Sequence, residues 1–451
     1  MQERRTIIDD HQPRATVEAP PPPPRLRQRG IPGSLRRAFV SFEERDFRYL
    51  GLSSLALGLG QWGQQIALAW LALELTGSAV QIGIISAFRG GVGVVAAPLG
   101  GYLAERFRRR TVILWTTIAS AVQASLFAIL ILSGYVQLWH VYLLAFAGGV
   151  IQSVSQPARQ AFVFDVSTDE TLVNAVAMNS VMQNISRIAG PPLAGMVIGL
   201  WGTGSLFAGL AGTQFVAVWF TLMIGLSTRQ QRLASEGGAL RAFRDMGDGF
   251  VYTWNNRLVL GLMLAQSIPI LLVVPYLPFL TLFATDVLHQ GPEAYGTLSS
   301  MAGWGSIAGL MILVGLGNPR RKGLLMVGAF VCYIATVLIF TRSTHFGVSL
   351  AALAVCGVFS GIGFTLNNTL IQTAVKNEYR GRVLSVWQLI SGLQFAGGLP
   401  MGMLIQRYGP SNGVGVFALA RPNRDDGLRA DVRIRAPRLN ARAPTRARRM
   451  T

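Results

Sequence analysis

Eleven long apolar runs, separated by short polar turns, constrain the fold of this chain more than any other feature. Each run approaches the ~20 residues that an α-helix needs to cross a bilayer. The chain is 51% hydrophobic and only 14% charged, and eleven such runs exceed what one soluble core would bury. The sequence therefore predicts an all-α membrane protein with spanning helices at 48–73, 80–100, 111–133, 138–163, 173–200, 205–226, 258–284, 295–316, 323–340, 346–373 and 383–405.

The basic residues indicate which way the helices run. Between the two chain ends they are concentrated in alternate loops, such as 106–110 and 320–322, whereas the opposite loops carry only Arg342 and Arg407. Loops rich in Lys and Arg remain in the cytoplasm. We therefore expect a cytoplasmic N-terminus and a multi-pass protein in the inner (cell) membrane of a bacterium.

An internal repeat indicates two related halves. The pattern of residues 180–186 in the fifth run recurs at residues 385–391 in the eleventh, and the loop at 317–322 repeats features of the basic loop at 100–110. We expect an N-terminal six-helix bundle at 47–226 and a C-terminal five-helix bundle at 258–410, joined by a cytoplasmic linker at 227–257. Composition predicts a disordered tail at each end of the chain. The N-terminal tail, 1–46, is proline-rich and expected in the cytoplasm, and the C-terminal tail, 411–451, is arginine-rich.

A twelfth run is absent from the pattern. After Pro410 the chain is apolar only from Gly413 to Ala420, and so short a segment cannot cross the ~30 Å of hydrocarbon. We expect that the last helix has been lost by truncation or a shifted reading frame. The alternative is a genuine basic tail on a shortened protein.

The loop after the second run carries the most specific motif. It resembles the signature loop Gly-x-Leu-Ala-Asp-Arg-x-Gly-Arg-Arg between the second and third helices of major facilitator superfamily transporters, although Glu105 replaces Asp and Arg108 replaces Gly. The resemblance implies the major facilitator fold and a cytoplasmic gate in which Glu105 meets the start of the eleventh helix near Arg382. The gate positions that it implies are Gly101, Glu105, Arg106, Arg109, Arg110 and Arg382.

Two other stretches resemble the enterobactin-exporter-like, drug-efflux branch of that superfamily. They are residues 157–161 and residues 174–195, which include the Gly-Pro run of Gly190, Pro191 and Gly195. Proline removes a helix hydrogen bond and glycine permits close packing, so we expect a kink here, with simple packing as the alternative. The resemblance implies export of small amphipathic compounds, of drug or siderophore type, by alternating access.

Polar side chains inside the apolar runs are the candidates for a substrate pathway. A charged side chain within the bilayer is costly, which draws attention to Arg89 and Arg187. Each polar residue has the alternative of bonding neighbouring helices together. The predicted pathway residues are Gln61, Gln64, Arg89, Arg187, Gln266, Asn367, Asn368 and Gln388, with Gln65 and Gln394 in the same polar set.

Several functional classes are excluded or left open by the sequence. The net charge of +19 lies in tails and turns rather than on one helix face, so we expect no nucleic-acid partner. The sequence shows no catalytic, cofactor or metal-ligand pattern, so we expect neither an enzyme nor a bound cofactor or metal. We expect a monomeric transporter of a small molecule. Proton antiport is implied by the resemblance alone. The interiors of the predicted spans carry no Asp or Glu, so the residues themselves indicate no proton carrier. Nutrient import and a non-transporting or defective protein remain alternatives.

We predict that Glu105→Gln weakens the closed state of the cytoplasmic side, because the variant loses the charge that attracts the helix N-terminus near Arg382. Transport should fall while membrane insertion persists. The measurement is thiol labelling of single cysteines at the cytoplasmic mouth. Unchanged labelling in the variant would contradict the gate.

Overall fold

The computed structural model describes residues 40–168, 171–225, 239–317, 319–376 and 378–418, and these residues are helical almost throughout. A 3-10 turn at Val40–Glu43 precedes the first long helix, and an irregular helical segment from Val274 to Val287 follows the seventh. The predictions for residues 1–39, 226–238 and 419–451 lie outside the described residues. The longer helices are α1 Arg45–Thr76, α2 Ala79–Arg106, α3 Arg109–Leu132, α4 Leu138–Asp165, α5 Leu172–Met223, α6 Ala239–Asn255, α7 Arg257–Leu272, α8 Pro292–Leu316, α9 Lys322–Arg342, α10 Phe346–Ala374, α11 Arg380–Gly392 and α12 Gly398–Phe417.

By length and composition, 7 helical segments of the described chain are long and apolar enough to cross a membrane. They correspond to α3, α4, α5, α7 with its irregular continuation, α8, α9 and α10. The fifth and sixth predicted spans fall in one of these segments, Asn174–Met223, and α1, α2 and α11 are not among them. The all-helical class is thus confirmed, and the number of eleven spans stays a prediction.

The longest helix, α5, reverses direction at Gly202. This residue has φ 82° and ψ 171°, a conformation that glycine adopts without steric cost. The arm before Gly202 runs parallel to α1, and the arm after it runs antiparallel to α1. The contacts that establish this are Met182 with Gly51, Ser186 with Gly58, Gln214 with Gly60, and Thr221 with Ser53.

A second reversal, at Gly409, corrects the predicted boundary of the C-terminal tail. Gly409 has φ 80° and ψ 167°, nearly the conformation of Gly202. The chain after it returns along α12, so that Gly413 packs against the backbone of Ile405 and Val414 is buried. Residues 411–417 are therefore helical, and the expectation of disorder from residue 411 is wrong for them.

The predicted N-terminal tail also ends earlier than residue 46. Ser41 donates a hydrogen bond from Oγ to Oδ1 of Asn174 at 2.6 Å, and Thr171 donates to Oε1 of Glu44 at 2.6 Å. These contacts attach residues 41–44 to the start of α5. The expectation of disorder is wrong for residues 40–46, because polar side chains there have partners in the folded protein.

The helices present two ends, which are named here by their loops. The basic end contains the turns at 107–108, 166–168 and 319–321 and the connecting helix α6, which occupies part of the predicted linker. The distal end contains the turns at 77–78, 133–137, 288–291 and 343–345 together with Gly202 and Gly409.

Among the described side chains, the buried apolar clusters connect the two halves at the distal end. One large cluster there contains residues of both halves, including Ile66, Phe207, Phe279 and Met401. At the basic end, one cluster around Phe162 belongs to the N-terminal half and another around Phe330 to the C-terminal half. As far as the described side chains go, the two halves therefore share a core at the distal end and have separate clusters at the basic end.

Glycines allow the closest approaches between the halves at the distal end. A Cβ added at Gly296 of α8 would lie 2.5 Å from the carbonyl oxygen of Pro191 in α5, and one at Gly83 of α2 would lie 2.5 Å from the carbonyl oxygen of Gly398 in α12. Gln406 strengthens the second contact by accepting a hydrogen bond from the backbone N–H of Ala79 at 3.0 Å. Small residues let helix backbones meet in this way within membranes.

We predict that Gly296→Val destabilises the protein by about 1–3 kcal/mol, because the added methyl groups overlap the α5 backbone. The measurement is the melting temperature of the purified protein in detergent. Gly315→Val is the matched control on the same helix, since open space surrounds that residue. Equal melting temperatures for the two variants would contradict the close contact of α5 and α8.

Candidate functional site

A cavity of about 580 Å³ lies between the two halves, near the middle of the helices. The N-terminal half contributes α1 and α5 to its wall, and the C-terminal half contributes α7 to α11. The lining side chains are Trp62, Gln65, Ile66, Asn184, Arg187, Pro191, Gln266, Ile270, Val274, Tyr276, Leu277, Tyr295, Ser299, Ala302, Gly303, Ser306, Leu310, Tyr333, Cys356, Ser360, Gly361, Phe364, Thr365, Trp387, Ser391 and Gln394.

One polar group of the cavity wall connects α7 to α11. Trp387 donates a hydrogen bond from Nε1 to Oε1 of Gln266 at 2.6 Å, and Nε2 of Gln266 donates to Oγ of Ser391 at 3.3 Å. Gln266 thus lines the cavity and also bonds the two helices together, while its place on the substrate pathway stays a prediction.

Aromatic side chains form the distal part of the cavity wall. Tyr276 and Tyr295 are almost fully buried, and the hydroxyl of Tyr276 lies 3.6 Å from Sγ of Cys356. Tyr333 lies nearby on α9. The sequence does not single out these residues. A Tyr or Cys inside an apolar run can face either the cavity or the lipid, and the neighbouring residues do not show which.

Arg187 is the charged residue of this cavity wall. It follows Asn184 by one helical turn and precedes Pro191 by another, so all three lie on one face of α5. Its Nε atom is buried and has no hydrogen-bond partner. The described residues of the lining include no Asp, Glu, Lys or His, so Arg187 has no ionic partner among them.

The structure places the two predicted asparagines away from this wall. Asn367 is fully buried and donates from Nδ2 to the carbonyl oxygen of Leu262 at 2.8 Å and to Sδ of Met326 at 3.4 Å. Asn368 accepts a hydrogen bond from Gln372 at 2.7 Å. These contacts favour the alternative in which a polar residue connects neighbouring helices or turns.

Arg89 also lies outside the lining. Its Nη2 donates to Oε1 of Gln152 in α4 at 3.5 Å, within the N-terminal half. Gln64 lies beside Gly148 and Gln123 in the same half, and Gln61 is half-buried on α1. The side chain of Gln388 is outside the described side chains. A role in the pathway stays a prediction for all four predicted residues.

The signature loop forms the predicted turn between α2, which ends at Arg106, and α3, which begins at Arg109. Arg108 has φ −57°, so the turn needs no glycine at this position. The structure does not describe the surroundings of Gly101 or the side chain of Glu105, so the Glu105 gate stays a prediction.

The last two arginines of the loop connect α3 to neighbouring helices. Nη1 of Arg109 lies 2.8 Å from Oδ1 of Asp165 at the end of α4, and Nη2 of Arg110 donates to the carbonyl oxygen of Leu222 at 2.9 Å. The pairing of Arg109 with Asp165 depends on the fold, because the two residues lie on different helices and 56 positions apart in the chain.

Arg382 pairs with the connecting helix. Its Nη1 lies 3.2 Å from Oδ2 of Asp248, and its guanidinium lies over the ring of Tyr379. Tyr379 in turn stacks on Tyr252 of α6, with ring centroids 4.6 Å apart. The start of α11 is therefore held against α6 by one ion pair and stacked aromatic rings.

The predicted kink at Gly190, Pro191 and Gly195 is not where α5 breaks. The non-helical backbone within this helix lies at Gly202 instead. The Gly-Pro run packs closely: Gly190 lies against Trp62 of α1, and Gly195 lies against Pro292 of α8. Missing Cβ atoms thus bring three helices together here, as the packing alternative expects, and the kink itself stays a prediction.

A helical membrane protein with a cavity between two halves has the architecture of a secondary transporter. The family model described as transmembrane secretion effector, within the major facilitator superfamily, matches residues 36–418, and the chain belongs to this transporter family.

Relatives in this superfamily are distant but cover most of the chain. The chain is 23% identical to the staphyloferrin A transporter of Staphylococcus aureus, over 80% of this chain and 90% of that protein. It is 21% identical to macrolide efflux protein A of Streptococcus pyogenes, over 76% and 83% of the two chains. It is 23% identical to the enterobactin exporter EntS of Shigella flexneri, over 75% and 78%.

Solved structures share the fold at low sequence identity. The nucleoside transporter NupG superposes with a TM-score of 0.62 at 13% identity, covering 82% of this chain and 95% of that chain. A bacterial homologue of the human lysosomal transporter Spinster, in an inward-facing and occupied conformation, superposes with a TM-score of 0.62 at 14% identity, covering 80% and 82%. The major facilitator fold is therefore established.

We predict that Asn367→Ala lowers stability by roughly 0.5–2 kcal/mol, because the carbonyl of Leu262 loses its buried donor. The melting temperature in detergent measures this change. Asn368→Ala, one residue along, should leave the melting temperature unchanged. Reduced transport by Asn367→Ala at an unchanged melting temperature would instead place Asn367 on the substrate pathway.

Proposed function

We propose that this protein is a secondary active transporter that exports small amphipathic compounds by alternating access. The observation that carries the proposal is the cavity between the halves, with a wall that combines aromatic rings and amides. Such a wall suits a compound that has both apolar and hydrogen-bonding surface. The chain would act as a monomer, because one chain supplies both walls of the cavity.

Alternating access is supported by the unequal packing of the two ends. Among the described side chains, the halves share one apolar core at the distal end and have separate clusters at the basic end. We propose that cargo enters the cavity from the basic end and leaves when the distal contacts open. Backbone contacts at glycines suit this role, because a glycine has no side chain that must leave a pocket when the two halves separate.

The proposed orientation places the basic end in the cytoplasm of a bacterial cell. The turns that carry arginine, at residues 106–110 and 319–322, then obey the positive-inside rule. The signature loop and Arg382 lie at this end, which is where a cytoplasmic gate between Glu105 and α11 would act.

Export is proposed because the staphyloferrin A, macrolide and enterobactin proteins are named for transport or efflux of such compounds. Import is the second candidate, since structural neighbours include a D-xylose-proton symporter. Coupling to proton entry is proposed from the superfamily alone, because no carboxylate or imidazole that could carry a proton is found among the described residues of the cavity wall.

We predict that Ala302→Trp reduces transport about tenfold or more, since the indole would occupy the cavity. The assay loads right-side-out vesicles with rhodamine and fluorescein dyes and follows their energised efflux. Ala308→Trp is the matched control, because Ala308 lies on the exposed face of the same helix.

Each result of this assay has one meaning. Efflux that Ala302→Trp blocks and Ala308→Trp retains supports the proposed exporter. Energised accumulation would overturn export in favour of import. Absence of all flux in a folded, monodisperse protein would overturn transport in favour of the non-transporting alternative.

A further inference from the structure

We infer that Arg187 binds an anionic group of the cargo, and that the cavity therefore selects small aromatic or amphipathic anions over cations. This inference rests on the proposed function, because it assumes that the cavity between the halves is the cargo site. It adds the sign of the cargo charge and the side chain that recognises it.

The first argument is the charge of the cavity wall. The part of the lining that the structure describes contains one cation, Arg187, and no carboxylate. A guanidinium away from bulk water is costly unless an anion or several hydrogen-bond acceptors compensate it. Because Nε of Arg187 is buried and without a partner, the wall itself leaves this compensation incomplete. An anionic group entering the cavity would complete it.

Arg159 and Arg89, two other arginines within the N-terminal half, donate hydrogen bonds to protein partners, although Nε of Arg159 has none. Arg159 is buried and donates from Nη2 to Oγ1 of Thr117 at 2.8 Å and from Nη1 to Oγ of Ser53 at 3.3 Å. Arg89 donates to Gln152, and neither arginine lines the cavity. Among these three arginines, Arg187 alone is placed to meet a molecule in the cavity.

The surroundings of Arg187 position it for recognition. Asn184 lies one turn before it on the same face of α5, and Gln65 lines the adjacent part of α1. Close packing of Gly190 against Trp62 keeps α5 and α1 together at this level. The planar guanidinium can donate two parallel hydrogen bonds to a carboxylate, and the neighbouring amides supply further donors.

The rest of the wall suits an aromatic body on that anion. Trp62 and Trp387 approach from opposite halves, and Phe364 and Tyr295 add ring surface. Hydroxyl groups of the C-terminal half, such as that of Ser306, remain for weaker polar contacts. A cationic compound would meet the same rings but also the repulsion of Arg187, with no carboxylate in the wall to offset it.

The test uses three probes that share one naphthalene skeleton: 1-naphthoate, 1-naphthamide and 1-naphthylmethylammonium. Calorimetric titration of the purified full chain in detergent measures their affinities. We expect naphthoate to bind about tenfold more tightly than the amide, and the ammonium to bind most weakly. Arg187→Gln should reduce the preference for naphthoate over the amide to less than about threefold, while Arg187→Lys should retain part of it.

Two further variants keep the test decisive. Arg342→Gln removes an equal charge from the distal surface, where Arg342 bonds to Asn412, and should leave the preference unchanged. Gln65→Glu gives the cavity its own carboxylate, which competes with the carboxylate of naphthoate. It should lower naphthoate affinity about tenfold in a chain that still contains Arg187. This second variant provides the answer if Arg187→Gln does not fold.

The inference is overturned if the ammonium binds most tightly, if Arg187→Gln preserves the preference, or if none of the probes binds. Its failure is distinct from failure of the proposed function. Dye efflux with a charge selectivity that ignores Arg187 would overturn the inference and leave the exporter intact. Naphthoate binding that depends on Arg187, without flux of any probe, would overturn transport and leave the binding site intact.

Discussion

Contact between helix backbones at glycines holds the two halves of this protein together at the distal end. At Gly83, Gly195 and Gly296 a side chain would collide with a backbone from the opposite half. In lipid such contacts depend on close van der Waals packing, because burial of apolar surface gives little net gain there. The cavity is the space that remains where the helices separate beyond these contacts, so its existence depends on them.

The arginines of the described helices differ in their partners. Hydroxyl groups accept hydrogen bonds from the Nη atoms of Arg159, although its Nε has no partner, and the carboxylates of Asp165 and Asp248 pair with Arg109 and Arg382. Arg187 faces the cavity and lacks such a partner for Nε. Arg187 is thus the one among these four arginines that lines the cavity.

The candidate site could be predicted in part. Polar character inside an apolar run singled out both Arg187 and Gln266, and both line the cavity. Asn367 met the same criterion, yet it bonds α10 to α7, because the rotation of a helix decides whether a polar side chain faces a neighbour or a cavity. Tyr276 was not predicted, since an aromatic residue in an apolar run carries no sign of its direction.

Local chemistry in the chain is enough to establish helices, a membrane environment and the basic turn before Arg109, because hydropathy and charge act over one or two helical turns. Only the folded arrangement settles that α5 reverses at Gly202, that residues 411–417 fold back on α12, and that Arg187 rather than Arg89 meets the cavity. These features depend on contacts between residues far apart in the chain, and no local pattern specifies which helix faces meet.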